Sequence, residues 1–263
     1  MNQESSVPDP NLPGPTLSSD QALEPPGTIA VIGAGPLGIE AALYGRYLGY
    51  NVTLIESESI GNSMREQRDQ PLPMMPDRCL SPIALSAINA QNPEAPPLVL
   101  PTTFGDWIDR IMVALTETDL LRGRLRCPAT VTQVNHLEIE REETDEEGDE
   151  LPPPDFRLSL SEGDSIDAEA VIVATGSGAE LSTGFELPCP YYFRIIAEKS
   201  GDPERDLLLG LKQIVDIYAT LADRATLDLY RPIRGSEPGS VTQVEDEDSD
   251  ESDEFVDEAD ENE

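Results

Sequence analysis

The run Thr28-Ile29-Ala30-Val31-Ile32, followed at once by Gly33-Ala34-Gly35-Pro36-Leu37-Gly38, constrains the fold more than any other part of this chain. An apolar, β-branched strand enters a G-x-G-x-x-G turn, and Ile39-Glu40-Ala41-Ala42 then opens a helix of small residues. Each glycine answers a separate steric demand. Gly33 permits the tight strand-to-helix turn, Gly35 lets the backbone approach a pyrophosphate with no Cβ between them, and Gly38 lets the helix lie close to the strand. The free N–H groups of the helix start then face phosphate oxygens. Tyr50-Asn51-Val52-Thr53-Leu54-Ile55 reads as the next parallel strand. Glu56 ends it, about 20 residues beyond the turn, where an acceptor for ribose hydroxyls belongs. The competing reading of Glu56 is a strand end kept polar for solubility. Strand, turn, helix, strand and acid in this order specify a Rossmann-like α/β unit for a dinucleotide. The acid favours a free ribose diol, as in FAD or NAD, over the 2′-phosphate of NADP.

Composition then limits how much of the chain joins that unit. Residues 1–27 hold six prolines among Ser, Asp and Glu with almost no apolar periodicity, which predicts a disordered arm. The arm lacks the basic start and apolar run of a signal peptide, and no segment is apolar for long enough to span a membrane. Val241–Glu263 carries thirteen acidic residues and no Lys or Arg. Self-repulsion and scarce apolar surface predict a disordered acidic tail over 235–263. Glu138–Glu150 is a second acidic block that runs into Leu151-Pro152-Pro153-Pro154, and 138–155 reads as a solvated loop. The remainder, 28–234, is one domain. A net charge of −35 argues against nucleic acid and anionic membrane surfaces as partners. It fits solubility in a crowded cytoplasm, with a protein partner for the acidic tail as the alternative.

Cys79, Cys127 and Cys189 form no C-x-x-C and no metal-ligand spacing, which predicts reduced thiols, a cytoplasmic location and no metal. His136 is the single histidine and reads as an ordinary strand side chain. Ser57–Pro101 is irregular, with a short helix over Pro82–Ala90. Its part Met64–Ser81, with Arg65, Arg68, Arg78 and Cys79, reads as a surface cap, or else reaches the ligand. Thr103-Phe104-Gly105-Asp106 starts a helix whose core stripe is Trp107, Ile108, Ile111, Met112 and Leu115. Ala129–Asn135, Phe156–Leu160 and the segment after the Ser161–Asp164 turn predict an antiparallel meander, with Ile166 continuing toward Ala170–Gly176, a buried parallel strand. Gly201-Asp202-Pro203 supplies a turn, an N-cap and a first-position proline for a long amphipathic helix ending near Ala225.

The glycine turn, Glu56 and the strand Val171-Ile172-Val173-Ala174-Thr175-Gly176 together resemble the FAD-binding domain of glutathione-reductase-like flavoproteins. That group includes pyridine-nucleotide-disulfide reductases and flavin-containing monooxygenases. The resemblance implies a parallel sheet plus a β-meander around FAD. Gly33, Ala34, Gly35, Pro36, Leu37 and Gly38 would meet the pyrophosphate, and Glu56 the adenosine ribose. The Val131 backbone would face adenine, and Thr175 and Gly176 would lie near the cofactor. It also implies a carboxylate for the ribityl chain, for which Asp202 and Glu198 compete, Asp202 serving equally well as a plain N-cap. Two departures stand out. Only about 25 residues separate Gly176 from the last helix, where the reductases insert a second, NAD(P)H-binding domain and a typical domain needs roughly 100. No redox cysteine pair is present, so the disulfide relay is disfavoured. The expected function is a FAD-binding flavoprotein oxidoreductase acting on a small-molecule substrate. The alternatives are an NAD-binding dehydrogenase and a non-catalytic dinucleotide-binding or sensing protein whose acidic tail meets a partner.

Overall fold

The computed structural model describes residues 22–92, 94, 97–137, 156–176, 181–196, 200–224 and 228–231. The acidic loop, Glu198, the tail and residues 1–21 of the arm lie outside the described residues. In chain order the elements are β1 (Thr28–Ile32), α1 (Pro36–Tyr47), β2 (Asn51–Ile55), α2 (Pro82–Gln91), α3 (Phe104–Asp106), α4 (Val113–Thr116), β3 (Leu125–Arg126) and β4 (Val131–His136). Then follow β5 (Phe156–Leu160), β6 (Ser165–Ala168), β7 (Ala170–Val173), β8 (Ser182–Thr183), β9 (Tyr192–Arg194) and α5 (Pro203–Ala222).

Five strands make a parallel sheet in the order β3-β2-β1-β7-β9. All four residues of β7, and Ile29–Ile32 of β1, are buried. That is why both runs are continuously apolar rather than alternating. Helix α1 packs on β1, β2 and α5. The other four strands form a second sheet, β6-β5-β4-β8. Its β4-β5-β6 part is the expected antiparallel meander. Val131, Val134, Phe156, Leu158 and Ala168 face into the common core. Strand β8 joins β4 in parallel and was not anticipated. Ile166 does not run on into the apolar strand either, because β6 and β7 belong to different sheets. The residue between them, Glu169, turns its carboxylate onto Thr28, accepting from its N–H at 2.6 Å and its hydroxyl at 2.9 Å. It thereby fixes the start of β1.

The helices begin where their caps place them. Ser81 accepts from the Ala84 N–H at 3.0 Å at the start of α2, and Thr103 from the Asp106 N–H at 3.1 Å at the start of α3. Between α3 and α4 the chain widens into a π-helical turn, Trp107–Met112, yet the whole expected stripe is buried. Helix α5 stops at Asp223, which takes the left-handed conformation (φ 49°).

A buried tyrosine cluster ties the ends together. The Tyr44 and Tyr218 rings stack with centroids 5.1 Å apart, and the Tyr218 hydroxyl donates to the Ala41 carbonyl at 2.8 Å. Tyr50 donates to the Leu23 carbonyl at 2.7 Å, while the Leu23 N–H donates to the Leu221 carbonyl at 2.7 Å. The folded body thus begins ahead of residue 28. One leucine among prolines has no periodicity by which a sequence could reveal its burial. No described helix is long and apolar enough to cross a membrane.

Candidate functional site

Because β1, β2 and β7 are parallel, the segments leaving their carboxyl ends converge at one edge of the sheet. There β1 has β2 on one side and β7 on the other, the position at which open α/β sheets form a crevice. A groove of about 700 Å³ lies there. Gly33, Gly35, Pro36, Leu37, Glu56, Val131, Thr175 and Gly176 all line it, drawn from four separated stretches of sequence. The structure brings eight of the eleven expected site residues into one cavity.

The glycines separate by cause. Gly33 has φ +105°, and a Cβ there would stand 2.8 Å from the Ala174 carbonyl oxygen. A Cβ on Gly38 would collide with the Gly33 carbonyl oxygen. These two positions are dictated by the protein itself. Gly35 is different: no protein atom lies within 4 Å of where its Cβ would be, and it lines the groove. Packing supplies no reason for glycine at 35.

Glu56 is buried at 8% exposure. One carboxylate oxygen accepts from the Ala34 N–H at 2.7 Å, and the other from the Glu58 N–H at 3.1 Å and the Ser57 hydroxyl at 3.2 Å. Ala34 is therefore buried behind the groove, holding the turn to the end of β2. An ionised carboxylate offers about four acceptor positions, so room remains for a further donor from the groove. Thr175 presents the complementary need. Its Oγ1 is buried without any hydrogen-bond partner, which is uncommon for a buried hydroxyl.

Asp202 does not line the groove. It is exposed and caps α5, accepting from the N–H groups of Glu204 at 3.1 Å and Arg205 at 3.3 Å. Asp206, one turn along, does line it, and accepts from the Ser200 N–H at 3.0 Å. Position i+4 lies above i on one helix face, so the caps were legible but not which carboxylate reached inward. The segment read as a surface cap supplies a wall: Met64, Gln67, Pro73 and Met74, facing Phe104 and Trp107. Among the described lining residues Glu56 and Asp206 are the only ionisable side chains.

The three cysteines are free. Burial pushes the Cys79 thiol up to about 12 and raises that of Cys189. His136 does sit on β4, but not idly: its Nε2 is 3.2 Å from the Cys189 sulfur and its ring stacks on Phe185 at 4.6 Å. No group of three or more described His, Cys, Asp or Glu residues could hold a metal.

The fold and the groove define a Rossmann-like α/β domain carrying a β-meander. No family model and no curated protein matches the chain. Among solved structures it is similar to a flavin-containing monooxygenase from Stenotrophomonas maltophilia, at 19% identity and a TM-score of 0.36, over 57% of this chain and 38% of that one. It is also similar to OTEMO in an FAD-bound form (22% identity, TM-score 0.41, 60% and 27%). A third is an oxidised steroid monooxygenase bound to NADP (20%, 0.41, 59% and 27%). The chain thus matches well under half the length of these proteins.

Proposed function

We infer that the groove binds FAD and that the protein is a flavoprotein oxidoreductase acting on a small molecule. The observation that carries this is Gly35: a glycine lining the groove that no protein contact requires, beside a buried carboxylate and an orphaned hydroxyl. A dinucleotide whose pyrophosphate rests on the turn explains all three, as the spare acceptor of Glu56 takes a ribose hydroxyl and Thr175 gains a partner. The meander beside the parallel sheet favours FAD over NAD, since a simple NAD domain continues in repeated βα units.

FAD, when bound, supplies the redox chemistry. The chain's own residues bind and orient. Glu56 holds the adenosine ribose, the Val131 backbone faces adenine, and, among the described residues, Asp206 rather than Asp202 is the carboxylate available to the ribityl chain. Met64, Met74, Phe104 and Trp107 give the groove an apolar wall.

Protein purified from a neutral host should be yellow with an oxidised-flavin spectrum. Gly35→Val should lose the bound FAD while keeping the fold by circular dichroism; full FAD occupancy in that variant would overturn the pyrophosphate assignment. A colourless protein that binds NAD would support the dehydrogenase reading instead. The scarcity of ionisable groups around the groove favours one further reading, a dinucleotide-binding protein with no chemistry of its own. Anaerobic mixing with NADH or NADPH separates the two, since a self-contained oxidoreductase bleaches its flavin with one of these donors or turns over with artificial acceptors.

A further inference from the structure

Behind the groove, Glu40 of α1 is buried in a place where no ligand role explains it. Its Oε2 accepts from the Ser81 hydroxyl at 2.7 Å and from the Tyr230 phenol at 3.1 Å, and its Oε1 lies 3.4 Å from the Ser81 N–H. Tyr230 also donates to the Glu40 main-chain carbonyl at 3.3 Å, and its ring lies 5.1 Å from that of Tyr44. One carboxyl therefore joins three separate parts of the chain: the fingerprint helix, the N-cap of α2 and the last described segment, 228–231. Among the described residues no Lys or Arg pairs with it. The ionisable side chains around the Glu40–Tyr230 pair are Cys79, from the segment before α2 and lining the same void as Glu40, and Tyr44 on α1 and Tyr218 from α5, both acting on Tyr230. Burial raises the pKa of Cys79, Tyr218 and Tyr230, so all three are neutral near pH 7. The neighbouring void measures about 10 Å³, so it holds one water at most. Pro36, Trp107 and Leu207 separate it from the groove, lining both.

We propose that Tyr230 is a protonation-sensitive latch: the neutral Glu40 carboxyl holds the phenol in the core, and ionisation of Glu40 favours release of the 228–231 segment. A charge at this position has two hydroxyl donors but no cation and almost no water; withdrawing Tyr230 gives up one of those donors but opens the carboxylate to water. In the sequence the dense acidic run begins at Glu245, with thirteen residues between it and Arg231 at the end of this segment.

Burial pushes Glu40 up from 4.5 to about 7, opposed by the bonds from Ser81 and Tyr230. If the open state has an ordinary carboxyl, the opening equilibrium rises about tenfold per pH unit between roughly 5 and 7 and levels off above that. Hydrogen–deuterium exchange of the full chain, expressed as protection factors at 228–231, reads this directly. The wild type should show that slope and Glu40→Gln should be flat and closed. A flat wild type, or a slope that survives in Glu40→Gln, overturns the latch. Should Glu40→Gln fail to fold, Tyr230→Phe keeps the ring and removes one donor to the carboxylate. The emission of Trp107, the chain's single tryptophan and a wall of the same void, should then titrate at higher pH than in the wild type. An unmoved midpoint counts against the proposal. Neither readout needs a ligand in the groove, so failure here leaves the FAD reading standing.

Discussion

At the scale of single residues, the same substitution at two neighbouring glycines should have opposite signatures. Gly38→Ala drives a methyl into the Gly33 carbonyl, backbone that cannot move aside. It should cost about 3 kcal/mol or more in urea unfolding, at the upper end for overpacking. Gly35→Ala meets open space and sits at a helix N-cap, so it should cost about 1 kcal/mol or less. Its effect should appear instead as a loss of dinucleotide affinity, read by fluorescence titration. Glu40 makes a third prediction through its raised pKa. A carboxyl that holds its proton more tightly when folded stabilises the protein fully below pH 4.5, and that stability is lost as pH rises to about 7. Glu40→Gln removes the dependence, so at pH 8 the variant should be more stable than the wild type by about 1–3 kcal/mol, and at pH 5 no more stable.

At the scale of elements, α5 carries two carboxylates whose tasks the geometry divides. Asp202→Ala should lower stability by about 1 kcal/mol, the usual cost of a lost N-cap, and leave ligand affinity intact. Asp206→Ala should do the reverse, as thermal melts and cofactor titration together would show. This division marks the limit of what the sequence could say. Strand, turn and caps were legible because they depend on residues adjacent in the chain: β1, β2, the meander, α2 and α5 lie within a few residues of their expected places. The π-helical widening at Trp107–Met112 left no trace, since the burial stripe is the same for either helix. Nor did the junction at Glu169, where one residue sends the chain from one sheet to the other. In the groove, the glycine turn and Glu56 were legible from a local motif. The Met64 and Met74 wall was not, because an irregular segment has no period from which its inward face can be read.

At the scale of the whole molecule, charge works against compactness. The chain has 52 acidic residues against 17 basic ones, and thirteen of the acids lie in its last 23 residues. Raising the salt concentration from about 0.01 M to about 1 M shortens the Debye length from roughly 30 to 3 Å. The melting temperature should therefore rise with sodium chloride, as differential scanning calorimetry would register, and a fall would show that attractive pairs dominate. The order of the parallel sheet has a further consequence, for the nascent chain on the ribosome. Strand β1 is flanked by β2, which follows it closely, and by β7, tied to it by the Thr28–Glu169 bonds across 141 residues. At about 5–20 residues per second, translation leaves one edge of β1 without its neighbour for roughly 7–30 s. During that interval a bare, apolar strand edge is exposed to other chains. Aggregation during synthesis, rather than unfolding of the finished protein, is then the stage at which chaperone supply should decide the yield.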